Sequence, residues 1–398
     1  MPLRVLAGAI ALALAGALGA CGDAETGQTV ASSDQLTIYT ALPEHGPQAD
    51  RARDVLDGER LALLLADGRA GLFNVGLRPV SDAAEPEEAE EEGEEETEPE
   101  KGWEPEAALK AAEVAVADPS TIAFIGDFDA GATALTLPVT NPRDLLQVSP
   151  AATYGGFTGD PGKAPGEPEK YQPSTRPTFG RVAVSDAVQA RAMADVLAGD
   201  DCGQVAILRA PNAFDDSLAR LFATAVTNRG MEVVLDEQVR DDDPEGHREM
   251  AQQVVEAGAR CATFVAGPAD APASVLRALN EADPGLRIVA PIGLADDEVA
   301  RALGPAASVT TIVGPPAPGP ELHKAFERRF GREPGPWAAY GFEAMRRVLR
   351  AIEAAGPRGN DRRAVVEAYL ALDHPEPRLA LWRPTLDGLE MERELPVR

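Results

Sequence analysis

Histidine is scarce in this 398-residue chain. His45, His247, His323 and His374 are scattered, and no spacing among them suggests a metal site. Aromatic residues make up only 5%. Positive charge is also short: 37 Lys and Arg stand against 65 Asp and Glu, a formal net charge of −28. A surface this acidic repels phosphates and argues against nucleic-acid binding. There is no phosphate-cradling P-loop and no nucleophile elbow, so neither nucleotide nor hydrolase chemistry is legible. No cofactor is expected. What the chain does have is 44% hydrophobic residues, mostly Ala, Val and Leu, which suits an α/β protein. Its length exceeds one comfortable core, so two domains are expected.

The first residues set the compartment. Met1-Pro-Leu-Arg4 is a short basic opening, residues 5–18 are small and apolar, and Leu18-Gly-Ala-Cys21 follows. This reads as a secretory signal peptide over residues 1–21. Its end resembles a bacterial lipobox, which implies cleavage before Cys21 and lipid attachment to its sulfur. Residues 22–35 are small and polar and read as a flexible tether. The mature protein is therefore expected outside the cell membrane on a lipid anchor.

That compartment permits disulfides. Cys202 and Cys261 each precede a strand-like run, QVAIL at 204–208 and ATFVA at 262–266. In a doubly wound sheet such strands are parallel neighbours with both cysteines at the same end, so a Cys202–Cys261 bridge is expected.

The stretch 121–158 organises the rest. TIAFIG at 121–126 is a strand, DFDAGAT at 127–133 a turn feeding a helix, LLQV at 145–148 a second strand, and SPAAT at 149–153 its turn. Strand, turn, helix, strand is the rhythm of a doubly wound parallel sheet, whose ligand crevice lies beyond the carboxyl ends of its strands. A helix starting near Ala130 aims free N–H groups at that crevice. Upstream, 36–42 and 72–80 read as strands around a helix over 51–66. Residues 85–100 carry eleven glutamates, so the remainder still holds −17 of the total. That run has no apolar face and is expected to be a disordered surface loop. Residues 106–117 resume as a helix. Strand 179–184 crosses to a second domain, where Asp186 can cap a helix and four further βα units run to residue 303. Helices over 321–330, 336–355 and 361–372 and two short C-terminal strands complete the chain.

Several of these segments, in this order, resemble the type I periplasmic-binding-protein fold, specifically the branched-chain amino acid binding proteins of ABC importers. The resemblance runs from about Leu36 to the C-terminus. It is carried by Pro43 and Gly46-Pro47, Asp82, Ile125-Gly126 through Thr133 and Pro138, the Ser149-Pro-Ala-Ala-Thr153 segment with Phe157-Thr158, Phe179-x-Arg181 with Asp186 and Gln189, and Phe326, Phe330, Pro334, Tyr340 and Ala344. It implies two doubly wound parallel-sheet lobes joined by a multi-crossing hinge. Lobe 1 is expected to hold 36–181 and 305–373, interrupted by an acidic insert over 83–104. Lobe 2 is expected to hold 182–304 and 374–398. The implied ligand positions are Asp129, Ala130, Gly131, Ala151 and Thr153 in the first lobe and Pro268, Ala269 and Ile292 in the second.

One departure stands out. The acid that the family supplies after the strand ending at Pro291 is missing, since Ile292-Gly293 stands there. A buried ammonium without a charged partner is costly. Asp129 reads two ways, as a substitute acid or as an ordinary N-cap. With Asp127 it would occupy the positive end of the helix and repel a ligand carboxylate. A small polar or apolar organic solute, an amino acid or a related compound among them, is expected. The functional expectation is a solute-binding lipoprotein serving an ABC permease and catalysing nothing. The alternative is a sensing or partner-binding lipoprotein of the same fold.

Overall fold

The computed structural model describes residues 30–31, 35–83, 102–199, 202–239, 243–267, 273–373 and 378–396. Within them the chain builds two sheets flanked by helices. The first holds β1 (Gln35–Leu42), β2 (Arg69–Ala70), β3 (Phe73–Ser81), β4 (Thr121–Ile125), β5 (Leu146–Ser149) and β6 (Phe179–Arg181), in the order β2-β3-β1-β4-β5-β6. All its pairs are parallel except β2 with β3. All five residues of β4 are buried, the pattern of a central strand covered on both faces, which is why its sequence is a continuous apolar run rather than an alternation. The helices α1 (Ala49–Leu65), α2 (Pro105–Ala117) and α3 (Ala130–Thr140) connect these strands.

The chain then crosses to a second sheet through α4 (Asp186–Gly199). There β7 (Gln204–Arg209), α5 (Ala213–Thr227), β8 (Glu232–Gln238), α6 (Pro244–Glu256), β9 (Cys261–Val265), α7 (Ala273–Ala282), β10 (Arg287–Ala290) and α8 (Asp297–Ala302) follow in turn. β11 (Thr310–Gly314) pairs parallel with β10. It is followed by α9 (Pro320–Phe330), α10 (Ala338–Ala354) and α11 (Arg362–Ala371). The hairpin of β12 (Leu379–Thr385) and β13 (Gly388–Leu395) closes that edge in antiparallel fashion, giving β13-β12-β11-β10-β9-β7-β8. In each sheet the earliest parallel strand, β1 or β7, lies between strands running to opposite sides. That reversal of strand order is the topological switch point, and crevices form at the carboxyl ends there.

Three elements sit differently from their sequence reading. The lobe boundary drawn at residue 305 falls too early, because β11 belongs to the second sheet; the chain recrosses only through residues 315–319, where Pro315, Pro316 and Pro318 forbid a regular element. The strand expected over 179–184 ends at Arg181. The stretch read as a free tether already makes contact with the fold, Val30 bridging Asp361 and Ala31 N–H donating to the Asn360 carbonyl at 2.6 Å. Cys21 and residues 84–101 lie outside the described residues.

The late helices return to the first lobe and fix α1. Gly58 and Gly341 make that approach possible. A Cβ at Gly341 would strike the Val55 carbonyl, and one at Gly58 the Ala338 carbonyl, so the two backbones meet where neither can carry a side chain. The second sheet is stapled by the Cys202–Cys261 disulfide, with Cα atoms 6.2 Å apart. β7 and β9 are parallel neighbours with Val205 opposite Cys261, which brings the two sulfurs to the same end, as expected.

Candidate functional site

A cavity of about 220 Å³ lies between the sheets, at the carboxyl ends of β4 and β5 on one side and of β7, β9 and β10 on the other. It is built from turns. After β4, Asp129 leaves the strand in an extended conformation and caps α3, its Oδ1 accepting from Gly131 N–H at 2.7 Å. Asp129 is thus the N-cap and a cavity residue at once. Asp127 has the other fate. It is fully buried behind the cavity, where Thr136 donates to its Oδ2 and Gln147 Nε2 lies 3.3 Å away, so it does not line the cleft as the sequence suggested. Burial pushes the Asp127 carboxyl up to about 7.

After β5, the Ser149 hydroxyl accepts from the amides of Ala151 and Ala152 at 3.2 and 2.9 Å, and donates to the Asp127 carbonyl at 2.6 Å. This knot holds Ala151, Ala152 and Thr153 against the cavity. The Thr153 hydroxyl bonds Asp186. Asp186, expected to cap α4, is instead its first residue, and the capping carbonyl is that of Ser185, which accepts from Gln189 N–H at 3.0 Å. Burial raises the Asp186 carboxyl to about 6, against the hydrogen bond from Thr153 and the nearby Arg181 guanidinium.

The second lobe supplies what sequence reading missed. Asn212 caps α5 by accepting from Phe214 and Asp215 amides at 3.1 and 2.9 Å. Its Nδ2 donates to Asp215 Oδ2 at 2.7 Å, and the same oxygen accepts Gly267 N–H at 3.0 Å. Asp215 is 6% exposed and lines the cavity. An acid therefore does face the cleft from this lobe, at the start of α5 rather than after β10. The available signal was the Asn-x-x-Asp spacing directly behind a strand's carboxyl end. After β10, Ile292 lines the cavity and its N–H donates to Gln189 Oε1 at 2.6 Å, while Gln189 Nε2 has no partner although the residue is buried. Of the residues proposed from sequence, Asp129, Ala130, Gly131, Ala151, Thr153 and Ile292 line this one cavity. Pro268 and Ala269 lie outside the described residues.

Apolar walls complete it. Phe128 and Trp337 stack edge to face at 5.0 Å, and Tyr154 of the first lobe meets Phe214 of the second in the same way at 5.0 Å. Trp103 also lines the cavity, lying against the start of α3 where Gly131 leaves room for its ring. It falls at the end of the segment assigned to a surface loop, and nothing in its local pattern announced a role.

The lobes are latched together around this space. Arg51 of α1 donates to the Gly293 carbonyl at 2.8 Å and pairs with Asp296 at 3.2 Å. Trp337 Nε1 donates to the Ala295 carbonyl at 2.8 Å, and Ser217 to the Gly162 carbonyl at 2.9 Å. His323, Glu327 and Glu333 are close enough together to share a cation, a grouping the sequence did not suggest, but they stand on the outer surface and not in the cavity. Among the described residues no helix is long and apolar enough to cross a membrane.

Comparison with known proteins agrees with this geometry. No curated protein matches the sequence. Among solved structures, a leucine-binding protein from Thermotoga maritima superposes with a TM-score of 0.71 at 18% identity, covering 90% of this chain and 98% of that one. A solute-binding protein of an ABC transporter from R. palustris, solved with benzoate, gives 0.70 at 16% identity over 90% and 96% of the two chains. A branched-chain amino acid ABC transporter protein from Rhodospirillum rubrum, itself described as putative, gives 0.62 at 21% over 90% and 99%. The sequence profile of the periplasmic binding proteins matches residues 97–380. This chain belongs to the periplasmic binding protein family.

Proposed function

We propose that the protein captures a small organic solute between its two lobes, outside the cell and on a lipid anchor at Cys21, and hands it to the permease of an ABC importer. The observation that carries this reading is the cavity itself, enclosed by strand-end turns of both lobes and bridged by Arg51. Its volume of about 220 Å³ falls below the range of roughly 300–1,000 Å³ usual for drug-sized ligands, so a molecule of few heavy atoms fits. Leucine and benzoate, the ligands of similar structures, are of that size. Capture and release by hinge motion need no bond to be made or broken, and the protein is read as a non-enzyme.

The test is thermal stabilisation of the lipid-free mature protein across a panel of small metabolites. A solute that binds only the folded, closed form contributes about 2.7 kcal/mol at a hundredfold excess over its Kd. A clear rise in Tm with one chemical class supports the reading. A flat response across amino acids, amines, amides, aromatic acids and sugars contradicts it.

A further inference from the structure

The cavity's chemistry also narrows the class of solute, an inference that rests on reading it as the solute site. Three carboxylates line it, those of Asp129, Asp186 and Asp215, and among the described residues no Lys, Arg or His does. They come from different parts of the fold: Asp129 from the first lobe, Asp186 from the crossing into α4, and Asp215 from the second lobe. Asp129 Oδ2 and Asp215 Oδ2 lie 3.8 and 4.0 Å from the point where a Cβ on Gly267 would stand. Acids from opposite lobes thus converge on one spot when the lobes are together. The two buried arginines that adjoin these acids are shared with others. Arg51 pairs with Asp296, and Arg181 with Asp160 at 3.2 Å. Neither lines the cavity.

A solute carboxylate would find its receptors already taken. Gly131 N–H is held by Asp129, the Ala151 and Ala152 amides by Ser149, the Phe214 and Asp215 amides by Asn212, and Gly267 N–H by Asp215. The protein's own side chains fill the anion sites that its turns create. The donor left over is Gln189 Nε2, buried and without a partner. Its orientation is fixed because Ile292 N–H holds the amide oxygen at 2.6 Å. An amide N–H of this kind takes a neutral carbonyl, hydroxyl or ether oxygen. The remaining walls are largely aromatic, with Trp103, Phe128, Tyr154, Phe214 and Trp337 around the space, and aromatic faces attract organic cations.

We propose that the solute is a small organic cation, an amine or alkylammonium carrying one acceptor oxygen and no free carboxylate, whose charge allows Asp129 and Asp215 to come together as the lobes close. The solute's positive charge then acts as the closing element: without it, two like charges from opposite lobes oppose closure.

A matched panel tests the class. L-leucinamide, choline and benzylamine are compared with leucine, benzoate and the neutral isovaleramide by thermal shift and calorimetric titration. The expected result is stabilisation by at least one of the three cations, none by leucine or benzoate at the same concentration, and at least a tenfold loss of that affinity in Asp215→Asn. Stabilisation by leucine, benzoate or isovaleramide with none by the cations overturns the cationic class and leaves the solute-binding reading standing. A second measurement does not depend on choosing the right probe. In the ligand-free double variant Asp129→Asn, Asp215→Asn, in which Asn still caps α3, small-angle scattering is expected to show a smaller radius of gyration than in the wild type. An unchanged or larger radius overturns the proposal, because closure would then not be opposed by these charges.

Discussion

Arg51 Nη1 donates to the Gly293 carbonyl at 2.8 Å, from a helix of the first lobe to a turn of the second. Through Nε the same guanidinium stands 3.2 Å from Asp296 Oδ2, while Asp296 Oδ1 caps α8 by accepting from Glu298 and Val299 amides at 2.7 and 3.0 Å. One acid therefore ties a helix start in one lobe to a cation in the other. The pair is buried, and burial lowers the Arg51 pKa from its ordinary value while the neighbouring Asp296, Glu298 and Asp129 support the charge.

Removing one partner of such a buried pair costs about 3–5 kcal/mol, and here the cost falls on the closed form. In Arg51→Met, solute binding is expected to weaken tenfold or more, with far-UV circular dichroism unchanged. Titration calorimetry measures the first and rules out misfolding by the second. Undiminished affinity would show that the latch does not contribute to closure.

The α1–α10 contact makes a stability prediction independent of ligand. Gly341 faces the Val55 carbonyl with no room for a methyl group. Gly341→Ala forces the helices apart and is expected to cost about 3 kcal/mol, at the upper end of overpacking penalties, read as a lower urea midpoint with an unchanged slope.

Glu59 sets a pH dependence. It is fully buried on α1, takes one hydrogen bond from Thr40 at 3.2 Å, and its Oε2 has no partner. Burial pushes its carboxyl from an ordinary 4.5 up to about 8. Between those values the folded protein keeps a proton that the unfolded chain releases, so stability falls as pH climbs through the window and the loss is complete above it. Glu59→Gln keeps the acceptor for Thr40 and abolishes the titration. The variant is expected to match the wild type near pH 4.5 and to exceed it by on the order of 3 kcal/mol at pH 9, as measured by denaturant unfolding at both values. Asp127, pushed up to about 7, acts in the same sense.

The Cys202–Cys261 bridge closes a loop with a sequence separation of 59. Loop-closure entropy assigns such a cross-link about 4 kcal/mol. The double Cys→Ser variant is expected to lose most of that while keeping its solute affinity, because the bridge lies at the amino ends of β7 and β9 and the cavity at their carboxyl ends.

Much of this was legible before any coordinates. β4 and β5 announced themselves as apolar runs closed by small-residue turns, and two such turns at adjacent parallel strands already implied a crevice between them. The paired cysteines were legible for the same reason, since parallel neighbours put equivalent positions side by side. Asp215 was not, because an acid at the third position of a capped helix looks like local capping until the sheets are placed face to face. Trp103 was not, because it follows a glutamate run and only the return of the chain over α3 gives it a neighbour. The late boundary of the second lobe was readable in principle from the prolines at 315, 316 and 318, which mark a crossing more reliably than a count of βα units.

The most direct test of solute capture is a crystal structure of the protein purified without denaturation or extensive dialysis from the cells that make it, with mass spectrometry of whatever it carries. The account predicts a single small molecule between the lobes, within hydrogen-bonding distance of Gln189 and of carboxylates from both lobes. A molecule bound elsewhere on the surface, or a closed cleft holding only water in a protein that no solute stabilises, would contradict it.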